Sequence, residues 1–238
     1  MSVAVTYKPW DAHFFGFKTG DLSFTGTATA LITALQQLKY DGYQLLYWKI
    51  SDTNQENINI AEQLHLFKGD IKVLYTFNVD ELINETKQQI EIKLWDGSIS
   101  DGLIELGIES GRYSRFKKDP VFPSGSFERM YTEWVKQSLD GTMGDEIYYI
   151  GEPANIKAFI TIAYHQTHAE IGLIAVDENF RKQGYGTAMT IFAKNKTKQH
   201  NLPALLVATQ HQNKEACLLY EKCHAKIISI EHIYHIHL

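Results

Sequence analysis

The chain is short of cysteine, of strong net charge and of long apolar runs, and each shortage excludes something. Cys217 and Cys223 are the two cysteines among 238 residues. They stand six positions apart in a predicted helix, about 1.7 turns, so the thiols face different directions and no bridge is expected. Reduced thiols suit a cytoplasmic location. A net charge of −5 leaves no excess of Lys and Arg for a phosphate backbone, which argues against nucleic acid as a partner. No apolar run reaches the roughly 18 residues of a membrane-spanning helix. The N-terminus lacks the basic-then-apolar pattern of a secretion signal, so neither membrane nor export is expected. Missing too are His-Glu-x-x-His, Cys-x-x-Cys and the Gly-x-Ser-x-Gly elbow of hydrolases. His232, His235 and His237 alternate along a predicted strand, with His235 and His237 on one face and His232 on the other. Three imidazoles cannot converge from that arrangement without a bend, and no metal is expected.

What is present suits a globular protein. Hydrophobic residues make up 44% and charged residues 21%, enough for a sizeable core in one large domain or two modest ones. The first 80 residues alternate strand and helix signals. Asp21–Thr25 is extended, and 28–39 is apolar at helical spacing through Leu31, Ala34, Leu35 and Leu38. Residues 43–50 and 71–77 read as strands around a helix capped by Ser51, Asp52 or Asn54. Polar residues 79–89 suit a linker. A second block then runs strand (90–95), helix (99–110), a basic loop (111–125), helix (127–139) and strands at 146–151, 158–164 and 169–176. The expected division is 1–80, a smaller N-terminal α/β region, and 90–238.

The most informative stretch follows the last of those strands. Arg181-Lys-Gln-Gly184-Tyr-Gly186 lies between the apolar run Ala169–Val176 and a helix continuing to about Gln199. A strand, a tight glycine turn and a helix start form an anion site, because glycine lets main-chain N–H groups converge and the helix dipole adds positive charge. The spacing Arg-x-x-Gly-x-Gly is neither the P-loop nor the dinucleotide fingerprint. Leu205–Gln210 is the next strand, and a helix carrying Asn213, Ala216 and Tyr220 follows.

This pattern resembles the GCN5-related N-acetyltransferases (GNAT), whose coenzyme loop reads Arg/Gln-x-x-Gly-x-Gly/Ala, followed by a strand and by Asn, Ala and Tyr at the spacing of Asn213, Ala216 and Tyr220. His224-Ala225 stands where that family commonly has Gly-Phe, so the turn into the final strand (227–238) differs. Phe14-Phe-Gly16, Ser114-Arg-Phe116, Tyr131-x-x-Trp134 and Val207-Ala-Thr-Gln210 are similar to the TDP-fucosamine acetyltransferases, which act on nucleotide-linked 4-amino-4,6-dideoxy sugars.

The resemblance implies an α/β GNAT fold with a mixed, partly splayed sheet, and acetyl-CoA as co-substrate. Main-chain groups of Gln183, Gly184, Tyr185, Gly186 and Thr187 would hold its diphosphate, with Arg181 nearby. Ile174, Ala175 and Val176 would pair with the pantetheine arm, and Asn213 would hydrogen-bond the same ligand. Tyr220 is the candidate general acid. Glu170 is the candidate base, with Asp70 and Asp119 as alternatives. Arg112 and Arg115 would bind the diphosphate of a nucleotide-sugar acceptor, and Phe116, Tyr131 and Trp134 its sugar or base. Core packing is the competing reading of Tyr131 and Trp134, and a solvent-facing position that of Glu170. Another amine acceptor, or a coenzyme-binding module without turnover, are the alternatives. An exposed final strand leaves room for a homodimer. A faint internal echo links Leu45–Leu66 with Leu205–Ala225, with Ala61 at the position of Tyr220 once one gap is allowed. The first half would then be a partial, non-catalytic copy.

Overall fold

A computed structural model describes residues 2–81 and 90–238. The expected linker therefore falls largely outside the described residues. The chain divides into two compact units. The first gathers Met1–Lys72, Ser114–Ser126 and Ser229–Leu238, and the second gathers Val73–Tyr113 and Phe127–Ile228.

The first unit begins β1 (Ser2–Tyr7), α1 (Pro9–Phe15), β2 (Thr19–Thr25), α2 (Ala28–Tyr40), β3 (Leu45–Ser51), α3 (Gln55–Gln63) and β4 (Phe67–Asn78, which continues into the second unit). The caps are those the side chains favour. Thr27 accepts from Ala30 N at 3.3 Å and Asn54 from Asn57 N at 3.0 Å, each satisfying a donor that the first helical turn leaves open. Leu22, Phe24, Leu31, Leu46, Trp48, Ile58 and Ala61 are buried in one core with Tyr234 and Ile236. Each large apolar side chain removed from water there contributes about 1.5–3 kcal/mol.

The later elements are β5 (Lys93–Leu94), α4 (Asp101–Ser110), α5 (Arg115–Lys118), α6 (Ser126–Leu139), β6 (Glu146–Glu152), β7 (Asn155–Tyr164), β8 (Ala169–Val176), α7 (Tyr185–Gln199), β9 (Ala204–Gln210), α8 (Lys214–Lys222) and β10 (Lys226–His237). The expected strand at 90–95 is reduced to two residues, and the expected loop at 111–125 contains α5. In the second unit the strand order is β4-β9-β8-β7-β6-β5. Strands β6 to β8 form antiparallel ladders, while β8 and β9 run parallel. Helix α7 packs on β7, β8 and β9, and α4 on β8 and β7. Strands of both directions give the mixed α/β sheet that the resemblance implies.

The internal echo is more regular than the sequence suggests. Leu45–Ser51, Gln55–Gln63 and Phe67–Asn78 recur as Ala204–Gln210, Lys214–Lys222 and Lys226–His237, each element the same length and at the same offset. Asn54 and Asn213 cap the two helices, and His65 and His224 take positive φ, +50° and +62°, after them. Ala61 aligns with Tyr220 without the gap expected from sequence. Each unit is completed by the other copy's last strand: β10 pairs antiparallel with β3, and the end of β4 neighbours β9.

Candidate active site

Strands β8 and β9 pair only at Ala169–Leu205, Glu170–Leu206 and Ile171–Val207. Beyond that point β8 continues to Val176 and β9 to Gln210 with no further partner between them. On its other edge β8 stays paired with β7 through Ile174, Ala175 and Val176. The main chain of 172–176 therefore has one edge outside any ladder, and buried main-chain groups without partners favour a ligand that supplies them.

The chain leaves β8 through a 3-10 turn at Glu178–Phe180, held by Asp177 Oδ1 accepting from Asn179 N at 2.8 Å. Two left-handed residues follow, Lys182 at φ +61° and Gly184 at φ +87°. Gly184 is the N-cap of α7 and makes no side-chain cap. Its carbonyl accepts from Ala188 N at 2.9 Å, so the N–H groups of Tyr185, Gly186 and Thr187 precede the first intrahelical bond. They converge at the positive end of a 15-residue helix, an arrangement that suits an anion. The two glycines serve different ends. Gly184 provides the left-handed turn. At Gly186 a Cβ would stand 3.1 Å from Leu219 Cδ2, so its hydrogen lets α8 lie against the loop.

Helix α8 starts where Asn213 Oδ1 accepts from Ala216 N at 3.2 Å, which commits that oxygen to the cap. Tyr220, next to Leu219, is 2% exposed. Its ring packs against Tyr75 and Phe77 at centroid distances of 5.6 and 6.1 Å. Burial pushes its phenol well above the ordinary tyrosine value, so it holds its proton at neutral pH. Tyr75 Oη donates to Glu221 Oε1 at 3.0 Å, bracing the same turn.

Arg181 is occupied from both ends of its guanidinium. Nε donates to Val176 O at 3.3 Å and Nη2 to Glu109 Oε1 at 2.6 Å. Arg112 joins the same carboxylate at 3.2 Å and reaches Glu215 at 2.6 Å. This chain of four charges ties α4, the loop and α8 together. The spacing of Glu109 and Arg112 on one helix end hints at their pairing, but nothing local in the sequence signals Arg181 or Glu215.

The remaining expected residues are dispersed. Glu170 is half-exposed, opposite Ala163 on β7, with His165 Nε2 at 3.7 Å. Tyr131 is buried against Phe127 and Trp134, and its ring fills the space that a side chain at Gly111 would need. In the first unit, Arg115 lies over the rings of Tyr47 and Phe116. Phe116 is buried among Phe15 and Phe122. Asp70 accepts from Ile71 N, and burial raises its pKa. Asp119 Oδ2 lies between His235 Nδ1 at 2.5 Å and His237 Nε2 at 2.8 Å, a convergence that the sequence, read for three histidines, does not reveal.

Residues 113–225, just under half of the chain, match the acetyltransferase (GNAT) family model. No curated protein matches the sequence. Among solved structures, a functionally unknown conserved protein from Staphylococcus epidermidis is similar at 14% identity, covering 99% of this chain and 90% of that one, with a TM-score of 0.65. A GCN5-related N-acetyltransferase from Sphaerobacter thermophilus is 12% identical over 99% of this chain and 76% of its own, also at 0.65. A tandem GNAT protein from the clavulanic acid biosynthesis pathway is 9% identical over 92% of this chain and 75% of its own, at 0.58. At such identities the likeness is one of fold.

Proposed function

We propose that this chain, a GNAT-fold protein whose acetyltransferase segment spans residues 113–225, moves acetyl from acetyl-CoA to a primary amine by direct transfer. The observation that carries the reading is the splay of β8 from β9 beside an uncapped helix start. In this reading the N–H groups of Tyr185 to Thr187 hold the coenzyme diphosphate, and the open edge of Ile174 to Val176 pairs with the pantetheine arm. A main-chain N–H of that edge polarises the thioester carbonyl, the type of contact that often supplies the largest share of catalysis. A neutral amine attacks the carbonyl carbon, the C–S bond breaks, the departing sulfur takes the Tyr220 proton, and the proton the amine loses passes through water to the Tyr220 phenolate, which restores the phenol as the amide and free CoA thiol leave. Arg181 braces the loop through Val176 and Glu109.

The acceptor we propose is a nucleotide-linked deoxyamino sugar, on the strength of the motifs shared with the TDP-fucosamine acetyltransferases. A second reading, an amine without a nucleotide, is favoured by Arg112, whose guanidinium two carboxylates already hold.

The test is thiol release from acetyl-CoA across nucleotide 3-amino and 4-amino deoxysugars, polyamines and peptide N-termini. Tyr220→Phe is expected to lower kcat about 100-fold at unchanged coenzyme affinity. A Tyr220→Phe variant that turns over like the parent removes Tyr220 from the acid role. Coenzyme binding with no turnover on any amine makes the protein a binding module.

A further inference from the structure

We propose that Asp119, His235 and His237 form a binding site for a divalent transition-metal ion in the first unit, independent of acetyl transfer. Strand β10 sets the two imidazoles on one face, two residues apart, and the third donor comes from the residue just after α5. The three candidate ligand atoms lie within 4.8 Å of one another. Asp119 and His235 side chains are 0% exposed, while His237 is 40% exposed. The site thus has a buried floor and one open side, where an ion enters and water completes its coordination.

The floor is built. Asp119 Oδ1 accepts from Val121 N at 2.9 Å, which leaves Oδ2 directed at the imidazoles. The His235 ring is fenced by Tyr47, Phe67 and Phe122 at centroid distances of 5.0, 5.8 and 5.8 Å. His235 turns Nδ1 to Asp119, while Nε2, on the far edge of the ring beside Gly69, is buried with no hydrogen-bond partner among the described residues. Arg115, whose charge bears on His235, opposes a dication here, and Asp119 is the carboxylate that offsets it.

Two imidazole nitrogens and one carboxylate oxygen are a donor set for Zn²⁺, Co²⁺ or Fe²⁺. Ligands about 2.0–2.2 Å from a tetrahedral ion stand roughly 3.3 Å apart. The present spacings of 2.5 and 2.8 Å are those of shared protons, and the ion takes the place of those protons. Both contacts widen on binding: His237, 40% exposed, moves back into solvent, and the Asp119 carboxylate turns away from His235 Nδ1. A second cluster, His165, His168 and Glu170, has no buried member and serves as the control surface.

The experiment uses the full untagged chain carrying His165→Ala and His168→Ala, so that the hairpin imidazoles contribute nothing. Zn²⁺ binding is measured by calorimetry, and Co²⁺ binding by its visible absorption. The expected result is one ion per chain, with affinity reduced at least about tenfold in Asp119→Asn and in His237→Ala, each checked by circular dichroism to be folded. Absence of uptake, or uptake that both variants leave unchanged, overturns the proposal and leaves a proton-bridged cluster.

Discussion

Arg181 Nη2 lies 2.6 Å from Glu109 Oε1, so the arginine of the glycine loop is held by a carboxylate on α4. Its Nε is spent on Val176 O. The residue therefore shapes the path of the chain between the splayed strand and the helix, and its influence on an anion passes through that shape.

The first prediction is non-additivity. Arg181→Ala and Glu109→Ala each weaken acetyl-CoA binding several-fold, and the double variant is little worse than either. The expected coupling is about 0.5–1.5 kcal/mol, at the upper end for a pair that is partly exposed. Calorimetric titration of the four proteins measures it. Effects that simply add would show that Arg181 touches the coenzyme on its own account.

The two glycines separate by rescue. Gly186→Ala pushes Leu219 and thereby displaces the turn carrying Tyr220, so kcat falls. Trimming the neighbour with Leu219→Ala restores it. Gly184→Ala meets open space but must hold φ near +87°, a strain of about 1–2 kcal/mol that Leu219→Ala cannot relieve. Steady-state kinetics on the two single and two double variants decide the matter. Equal rescue of both glycine variants, or of neither, contradicts this division of labour.

The part of the site that could be read from sequence is the part that is local. The β8, loop, α7, β9 and α8 series announces itself because strand alternation, the glycine turn and the helix cap act over a few residues. The splay of β8 from β9 follows the expected course. Other features depend on contacts between distant residues. Arg112 reads as a free phosphate ligand until Glu215 is seen beside it. Asp119 reads as a possible base until β10 brings two histidines to it. Elements β1 and α1 carry no strong periodic signal and emerge from their pairing with β2 and the aromatic cluster around Phe15. The short α5 is hidden in a basic loop for the same reason.

The turn at His224 supplies a stability prediction. It follows α8 in the left-handed conformation, φ +62°, with Ala225 N donating to Tyr220 O at 2.9 Å. Glycine is preferred there because it lacks a Cβ. The contact of His224 with Glu81 involves side chains 50% and 42% exposed and contributes little. His224→Gly is expected to stabilise the protein by up to about 1 kcal/mol, a rise of about 2–4 °C in Tm. His224→Ala, which keeps the strain, gives no gain. Equal melting temperatures for Gly and Ala at this position would rule out backbone strain as the cause.

Glu146 is expected to contribute to acid sensitivity. Burial alone would raise its pKa, but hydrogen bonds from the Tyr164 and Tyr148 phenols and the charge of Lys196 overcome that and hold it below the ordinary 4.5. Tyr164 Oη donates to Oε2 at 2.5 Å and Lys196 Nζ stands 3.5 Å from Oε1. A carboxylate whose pKa is depressed by folding stabilises the native state above its unfolded value and loses that contribution as the pH falls through its folded value. Glu146→Gln should therefore lower Tm by a constant amount from pH 8 down to about pH 5, and the gap to the parent should close progressively below about pH 4.5. The same closing should occur with Tyr164→Phe, because the phenol stabilises only the ionised carboxylate to this degree. Thermal melts across the pH series give the answer directly. A gap that stays constant through the acid range would mean that Glu146 contributes packing and neutral hydrogen bonds, and that its charge is immaterial to the fold.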